Sequence, residues 1–256
     1  MREKVEQIVR SAGELLPKAA KAGVVVQEKE GIGNFVTDCD VAVQHFLQKA
    51  LKELLPQAAF VGEEENLEPY RNEGACWIVD PIDGTANFLR GFGYSAVSVA
   101  LVEDSRPVVG VVYNPFSGEL FSAEQGGGAY LNGRPIHVSS RPLKKSLVSF
   151  GATSYKRDIT DRMFRVLREV FDRCEDIRSF GSAALDICQV AAGRLDVFWE
   201  LKLYPWDYAA AACILSEAGG RIGPVNGGEL PYGTPSSVLA ANSEAYSDMS
   251  ALFRQE

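Results

Sequence analysis

Apolar residues recur at helical spacing in two stretches near the start of the chain. The first stretch covers the opening twenty residues, and the second covers residues 43–55, directly before Pro56. This spacing places the apolar side chains on one face, which predicts two amphipathic helices. Thr37 or Asp38 stands where the second helix should begin, and either side chain can accept hydrogen bonds from a first turn.

Shorter apolar runs, with turn residues between them, predict β-strands. Residues 24–27, 59–61 and 76–79 are isolated candidates, whereas residues 94–130 carry several closely spaced runs typical of an antiparallel meander. Asn132 and Gly133, between apolar neighbours, indicate a hairpin turn. Residues 29–33 are charged and glycine-bearing, and their composition predicts a loop.

Beyond Pro142 the pattern changes to alternating strands and helices. Strands are predicted at 147–150, 195–199 and 238–240, and helices at 161–171, 183–192, 206–218 and from about residue 243. We therefore predict an α+β domain over residues 1–140 and an α/β domain over residues 141–256.

Charge and cysteine content narrow the function. The chain has 256 residues and a formal net charge of −8, which argues against a surface that wraps nucleic acid. Its five cysteines are odd in number and scattered, so neither a disulfide framework nor a zinc site is expected. The charged N-terminus does not resemble a signal peptide and no apolar run is long enough for a membrane span, so we expect a cytoplasmic protein.

The most informative stretch runs from Trp77 to Asn87. An apolar strand-like run ends there in two carboxylates, Asp80 and Asp83, and Gly84 and Thr85 follow at a predicted turn into a helix. Carboxylates suit a divalent cation, and free backbone N–H groups at a helix start suit a phosphate.

Other acidic residues also stand where predicted elements begin or end. Each has an ordinary structural interpretation: Asp40 can form a capping box with Thr37, the run from Glu63 can be a solvated charge cluster, and Asp207 can favour a helix N-terminus. Together they form a set of hard oxygen ligands without histidine or cysteine, which favours Mg²⁺ or Mn²⁺. Two such cations would clamp the attacking and leaving oxygens of a phosphoester. The set comprises Asp40, Glu63, Glu64, Asp80, Asp83 and Asp207.

Other catalytic plans find less support in the residues. His45 and His137 have no partners that would form a triad or an H-E-x-x-H pattern. The glycines at 126–128 lack the lysine of a phosphate-binding loop and indicate a turn instead. A glycosidase pair is disfavoured because acids packed this closely repel one another without a metal.

The chain resembles the inositol monophosphatase family over essentially its whole length. Residues 77–85, with Asn87 and Phe88, match the first family signature, and the run from Trp206 to Gly220 matches the second. Lys29, Asp40 and the Gly62–Glu64 segment fall between them in family order. The resemblance implies a layered αβαβα sandwich of α+β class and a Mg²⁺-dependent phosphatase with two to three ions, Mn²⁺ being an alternative.

The resemblance also implies roles for individual residues. The first ion would be held by Glu63, Asp80 and the Ile82 carbonyl group, the second by Asp80, Asp83 and Asp207, and a weaker third by Glu63. Thr85, hydrogen-bonded to Asp40, would orient the attacking water, and the N–H groups of Gly84 and Thr85 would bind the phosphate. Lys29 would lie near the phosphate. The alcohol would contact Asp83, Ala183, Glu200 and Asp207, with Glu200 at the end of its strand.

Two departures from the family pattern leave the substrate open. Leu201 and Lys202 replace a glycine-bearing segment after Glu200, and Arg90 replaces a frequent histidine. Added cations, with Lys202 as a possible contact, could favour a second phosphate. Inositol monophosphate or a similar small polyol phosphate is expected, and fructose-1,6-bisphosphate, 3'-phosphoadenosine 5'-phosphate and histidinol phosphate are alternatives. A module that binds RNA or transcription partners is the alternative of another class, and a homodimer is expected from the family.

Overall fold

The computed structural model describes residues 1–28, 35–64, 70–152 and 159–254. The whole predicted loop at residues 29–33 falls outside these ranges, and with it Lys29, which was predicted to lie near a phosphate. Within them no helix is long and apolar enough to cross a membrane.

The N-terminal third supplies an outer helical layer. The predicted first helix is present as α1 (Arg2–Gly13) and α2 (Leu15–Ala22), separated at Glu14. A small hairpin of β1 (Val26–Glu28) and β2 (Phe35–Thr37) leads into α3 (Asp38–Leu54). Thr37 caps α3 as predicted, in a reciprocal capping box with Asp40. Apolar faces of these helices bury Val5, Val9, Leu16, Val43 and Leu47 against the first sheet.

The first sheet has seven strands in the order of the chain. Its first two strands are parallel, and every later pair is antiparallel, which confirms the predicted meander. The Asn132–Gly133 turn has positive φ at both residues, as a tight hairpin requires. The strands are β3 (Ala59–Gly62), β4 (Ala75–Asp83), β5 (Ala96–Glu103), β6 (Arg106–Asn114), β7 (Glu119–Glu124), β8 (Ala129–Leu131) and β9 (Arg134–Ile136). The short helix α4 (Thr85–Arg90) joins β4 to β5.

The second sheet has five strands in the order β11-β10-β12-β14-β13. Three of these strands are parallel, and the two at the β13 edge are antiparallel to their neighbours. They are β10 (Leu147–Phe150), β11 (Asp176–Arg178), β12 (Val197–Leu203), β13 (Arg221–Gly223) and β14 (Ser236–Ala241). A 3₁₀ turn (Leu143–Lys145) precedes β10.

Two buried helices fill the space between the sheets. Helices α6 (Ala183–Ala191) and α7 (Pro205–Glu217) share one apolar core with Ile78 and Phe121 of the first sheet and Phe198 of the second. On the far side of the second sheet, α5 (Thr160–Phe171) and α8 (Ser243–Phe253) form an outer layer around Trp199. The layers therefore run α, β, α, β, α, and the predicted αβαβα sandwich of α+β class is confirmed.

Several predicted boundaries differ from the structure. β12 extends to Leu203, so Glu200 lies within the strand and the prediction that it ends the strand is wrong. The continuous apolar run ends at Trp199 because Glu200 and Lys202 are charged, and the pairing of β12 with β14 shifts register between Glu200 and Leu203. The division into domains of residues 1–140 and 141–256 stays a prediction, although the two sheets fall on either side of it.

Candidate active site

The centre of the site is the bulged end of β4 and the turn that follows it. β4 pairs with β5 from Ala75 to Asp80 and again at Asp83, so the ladder is interrupted at Pro81 and Ile82. Pro81 has no N–H group and loses nothing by leaving the ladder. The Ile82 N–H donates to Asp80 Oδ1 over 2.9 Å, which turns that carboxylate back toward the bulge. The bulge thus brings the carboxylates of Asp80 and Asp83 to one end of the sheet.

Gly84 is required where the chain turns from β4 into α4. Its backbone is left-handed, with φ of 85° and ψ of 42°. A Cβ at this position would lie 3.0 Å from the Gly181 carbonyl oxygen and 3.1 Å from that of Tyr94. Both backbone strain and space therefore exclude a larger residue. Ser95 Oγ donates to the Gly84 carbonyl over 2.9 Å and fixes the turn further.

Asp83 is held by the N-terminus of α6, from the other half of the chain. Its Oδ2 accepts hydrogen bonds from the Ser182 hydroxyl and, over 2.8 Å, from the Ala184 N–H. Burial raises the pKa of Asp83 to about 6, and the bonds from Ser182 and the first turn of α6 oppose that rise. Ser182 stands directly before α6. It also accepts from the Leu185 N–H, so it caps α6 while it orients Asp83.

Asp207 arrives from the first turn of α7. Its Oδ2 accepts from the Tyr204 N–H over 2.7 Å, and Pro205 occupies the first helical position, where no N–H is needed. Most of the following helix is buried between the sheets, so the carboxylate is fixed to the core. Asp207 was predicted both as a helix-start acid and as a site residue. Its position in α7 is compatible with both interpretations.

These three carboxylates converge on one point. Oxygen atoms of Asp80, Asp83 and Asp207 lie within 4.8 Å of one another. Burial, followed by the charge of neighbouring acids, raises the pKa of Asp80 and of Asp207 well above the ordinary value. The hydrogen bonds described above occupy one oxygen of each carboxylate. Three carboxylate ligands that repel one another, two of them buried and that of Asp207 half-buried, form a donor set suited to a hard divalent cation.

Glu63 lies beside this group rather than within the set of three. It directly follows β3, and its N–H donates to the Val79 carbonyl over 3.2 Å, which places it next to β4. Its charge contributes to the raised pKa of both Asp80 and Asp207. The next residue, Glu64, donates its N–H to Gln44 Oε1 over 3.1 Å.

Asp40 combines a structural bond with a contact toward the site. One oxygen, Oδ2, accepts from the Thr37 N–H over 2.8 Å and from the Thr37 hydroxyl. The other, Oδ1, lies 3.5 Å from the Thr85 hydroxyl oxygen, which also lies 3.0 Å from the Ile82 carbonyl oxygen. The predicted Asp40–Thr85 pair is thus brought together, with Ile82 as the closer acceptor for the single hydroxyl proton.

The alcohol-binding candidates lie where α6 and β12 meet the site. Ala183 and Glu200 are each 8% exposed, and Lys202 is half-buried. Asp186, on α6, is buried and accepts from the Tyr94 hydroxyl over 2.8 Å. Burial raises the pKa of Asp186 to about 8, and the charges of Asp83 and Glu200 contribute.

Sequence reasoning missed several residues that support the site. Gln44 is 1% exposed and stands one helical turn after Asp40, a polar residue on an apolar face. The Asn87 side chain donates to the carbonyl groups of Tyr94 and Phe180 over 3.0 and 2.7 Å and joins the two halves of the chain. Gln44 could have been found from its place in the helix pattern. The partners of Asn87 could not, because they lie far away in sequence.

Comparison with known proteins places the chain in a family. A model of the inositol monophosphatase family matches residues 1–256. This chain therefore belongs to the inositol monophosphatase family, whose members are metal-dependent phosphoric monoester hydrolases, and the predicted enzyme class is confirmed.

Individual relatives agree over nearly the whole length. Inositol monophosphatase 2 of Solanum lycopersicum is 40% identical over 240 residues, which cover 88% of this chain and 90% of that protein. Nus factor SuhB of Escherichia coli K12 is 34% identical over 249 residues, covering 96% and 93%. The crystal structure of extragenic suppressor protein suhB from Bartonella henselae superposes with a TM-score of 0.91 at 33% identity, covering 99% of this chain and 98% of that one.

Proposed function

We propose that this protein is a Mg²⁺-dependent phosphomonoesterase that hydrolyses inositol monophosphate or a similar small polyol phosphate. The observation that carries the proposal is the convergence of Asp80, Asp83 and Asp207, from two halves of the chain, on a point beside the Gly84 turn. Family membership supports the reaction type, and the name of the tomato relative supports the inositol substrate.

Two to three ions would be held by the carboxylates and one backbone group. Glu63, Asp80 and the Ile82 carbonyl would hold the first, Asp80, Asp83 and Asp207 the second, and Glu63 a weaker third. Mg²⁺ is the expected ion and Mn²⁺ has the same ligand preference. When bound, such ions lower the pKa of water and neutralise charge on the phosphate and the departing oxygen.

The remaining chemistry belongs to the turn after β4. The N–H groups of Gly84 and Thr85 would bind phosphate oxygens, and the left-handed Gly84 backbone lets a phosphate approach the chain closely. The Thr85 hydroxyl, with its proton directed to the Ile82 carbonyl or Asp40, keeps a lone pair for the attacking water. That hydrogen bond would orient the water in line with the leaving alcohol.

The alcohol would lie toward α6 and β12. Glu200, Asp83 and Asp207 would accept hydrogen bonds from its hydroxyl groups, and Ala183 would form part of the wall. Lys202 is proposed as an additional contact near the alcohol, and Lys29 as a contact to the phosphate. A cytoplasmic location remains a prediction from the sequence, and a homodimer remains a prediction from the resemblance.

The test is a panel of phosphate esters with Mg²⁺, ranked by kcat/KM. It should include inositol 1-phosphate, fructose 1,6-bisphosphate, 3'-phosphoadenosine 5'-phosphate and histidinol phosphate, with Asp83→Asn as the inactive control. Inositol 1-phosphate is expected to rank first. If a bisphosphate ranks first, and Lys202→Ala lowers its kcat/KM more than that of inositol 1-phosphate, the bisphosphate replaces inositol monophosphate as the proposed substrate. Failure to hydrolyse any ester would overturn the proposal.

A second function is favoured by one relative. The Escherichia coli protein is named as a Nus factor, which supports a partner-binding role in transcription as the alternative of another class. The net charge of −8 disfavours direct nucleic-acid binding. This alternative would be favoured over the enzyme by a wild-type protein that forms a stable complex with transcription proteins and has no phosphatase activity. Asp83→Asn should then retain the complex.

A further inference from the structure

Gly151 lies beside Glu200, just beyond the C-terminal end of β10 in the second sheet. It directly follows β10, which runs parallel to β12 with Phe150 opposite Trp199. The Gly151 N–H donates to the Trp199 carbonyl over 3.1 Å, so the backbone at residue 151 continues the strand pairing. A Cβ on Gly151 would lie 1.8 Å from Glu200 Oε2 and 2.3 Å from its Cδ. The Glu200 carboxylate therefore occupies the volume that any side chain at position 151 would take.

The backbone does not require a glycine at this position. Gly151 is absent from the glycines with positive φ, so other residues can adopt its conformation without strain. The crowding also differs from that at Gly110, where a Cβ would meet the Ala210 backbone oxygen of α7 at 2.2 Å. At Gly151 the crowded atoms are the end of one side chain. A methyl group there should turn the carboxylate away rather than separate two elements of the fold.

Other directions for the carboxylate are less favourable. Glu200 is 8% exposed, and its charge contributes to the raised pKa of both Asp186 and Asp207. A carboxylate displaced from the space at Gly151 would therefore have to find a new position in buried and negatively charged surroundings.

We propose that Gly151 is a specificity-determining position, whose missing side chain directs the Glu200 carboxylate toward the substrate alcohol. The inference rests on the proposed function in one respect, that Glu200 accepts hydrogen bonds from substrate hydroxyls. Gly151 itself is a positioning residue and touches no reacting atom. Any larger residue at this position shifts preference from polyol phosphates toward esters that make no use of Glu200.

The experiment compares Gly151→Ala with the wild type on two substrates, inositol 1-phosphate and p-nitrophenyl phosphate, which has no alcohol hydroxyls for Glu200 to bind. The ratio of kcat/KM for inositol 1-phosphate to kcat/KM for p-nitrophenyl phosphate should fall about tenfold. This is the loss expected for one misplaced hydrogen bond to a charged group. The loss should appear mainly as a higher KM for inositol 1-phosphate. A crystal structure of the variant should find the carboxylate oxygen displaced by about 1.6 Å or more, which takes it from 1.8 Å to an ordinary contact distance of about 3.4 Å.

A double variant at Gly151 and Glu200 distinguishes a positioning role of Gly151 from general damage to the fold. Glu200→Asp alone should also lower the ratio, because the shorter side chain retracts its carboxylate. Adding Gly151→Ala to Glu200→Asp should cost nothing further, because the new methyl group occupies space that the shorter acid has left. Gly233→Ala is the matched control. Its Cβ would meet the Tyr70 ring at 2.7 Å, again a side chain, and the ratio should not change.

Two results overturn the inference. One is an unchanged ratio in Gly151→Ala, and the other is multiplicative losses in the double variant. If Glu200→Asp lowers the ratio while Gly151→Ala does not, only the inference falls and Glu200 keeps its proposed role. If neither variant changes the ratio, the alcohol contact in the proposed function falls as well.

Discussion

The phosphate side and the alcohol side of the site are built in different ways. On the phosphate side, Asp80, Asp83 and Asp207 are each held by a hydrogen bond from a backbone N–H group. On the alcohol side, Glu200 is directed by the space at Gly151 and by neighbouring charge. A backbone hydrogen bond sets the direction of a carboxylate oxygen, whereas the space beside a glycine decides which volume a carboxylate can occupy.

This difference suits the two tasks. The reaction needs carboxylates at fixed positions, because misplaced ligands lose cation affinity and catalysis together. Recognition of an alcohol can change by substitution at one small residue without disturbing that set. Chemistry should therefore be lost by variants on the phosphate side, and specificity should be altered by variants on the alcohol side.

The largest effect is expected for Asp83→Asn. The amide keeps the size of the side chain but removes the negative charge that a cation needs, so kcat/KM should fall by at least about 10³-fold. Steady-state hydrolysis of inositol 1-phosphate measures the loss, and circular dichroism checks that the fold is kept. Turnover within threefold of the wild type would contradict the assignment of Asp83 as a ligand.

A smaller loss is expected for Ser182→Ala, which leaves the carboxylate but removes the hydroxyl that orients it. Activity or Mg²⁺ affinity should fall by about 10–100-fold, and excess Mg²⁺ should recover part of it. Asn242→Ala is the control, because it removes the cap of α8, whose N–H bond to Asn242 is 2.9 Å long, outside the cluster. Equal activity losses in the two variants would mean that Ser182 acts only as a helix cap.

Removal of metal should make stability depend on pH. Asp83 has a pKa of about 6 in the folded state against an ordinary value of 3.8, so the folded state keeps a proton that the unfolded state has released. Its contribution is therefore present below about pH 4 and is lost as pH rises to about 6, and the raised pKa values of Asp80 and Asp207 act in the same direction.

Thermal unfolding of EDTA-treated protein, with and without added Mg²⁺, measures this dependence. The metal-free Tm should fall as pH rises through that window, and saturating Mg²⁺ at neutral pH should raise it by about 5–10 °C. Asp83→Asn should reduce the pH dependence. A metal-free Tm that rises over the same window would contradict the mutual repulsion of the cluster.

The smallest effect on activity is expected for Tyr94→Phe, which removes the 2.8 Å bond to Asp186. The buried Asp186 would lose a partner, at a cost of about 1–3 kcal/mol in the free energy of unfolding, while kcat/KM should stay within about threefold. Denaturant unfolding measures the change in the free energy of unfolding, and steady-state kinetics measure kcat/KM. Tyr130→Phe, on the partly exposed β8, is the control. A large kinetic loss without destabilisation would place Tyr94 on the chemical side of the comparison.

Much of the fold was predictable because it depends on local patterns in the sequence. Helix α3 with its Thr37 cap, the meander and the Asn132–Gly133 turn follow from periodicity and turn chemistry between near neighbours. Strands β11 and β13, each three residues long, were missed because so few residues carry no detectable period. Glu200 was placed at a strand end because the charged residues Glu200 and Lys202 interrupt the apolar run there.

The sequence predicted which residues form the candidate site. It did not predict the contacts that hold them in place. Acids next to the predicted turns identified Asp80, Asp83 and Asp207 as candidates. The partners that fix them are separated by as many as 101 residues, as in the bond from Ala184 to Asp83. Asn87 and Gly151 have roles set by such distant neighbours, so a single sequence could not assign them.

The most direct test of the central claim is anomalous diffraction from crystals soaked in Mn²⁺, which takes the same oxygen ligands as Mg²⁺. An anomalous peak is expected between the carboxylates of Asp80, Asp83 and Asp207, and none is expected there in crystals of Asp83→Asn. A wild-type crystal with no peak among these carboxylates, under conditions where Mn²⁺ supports phosphate release, would contradict it.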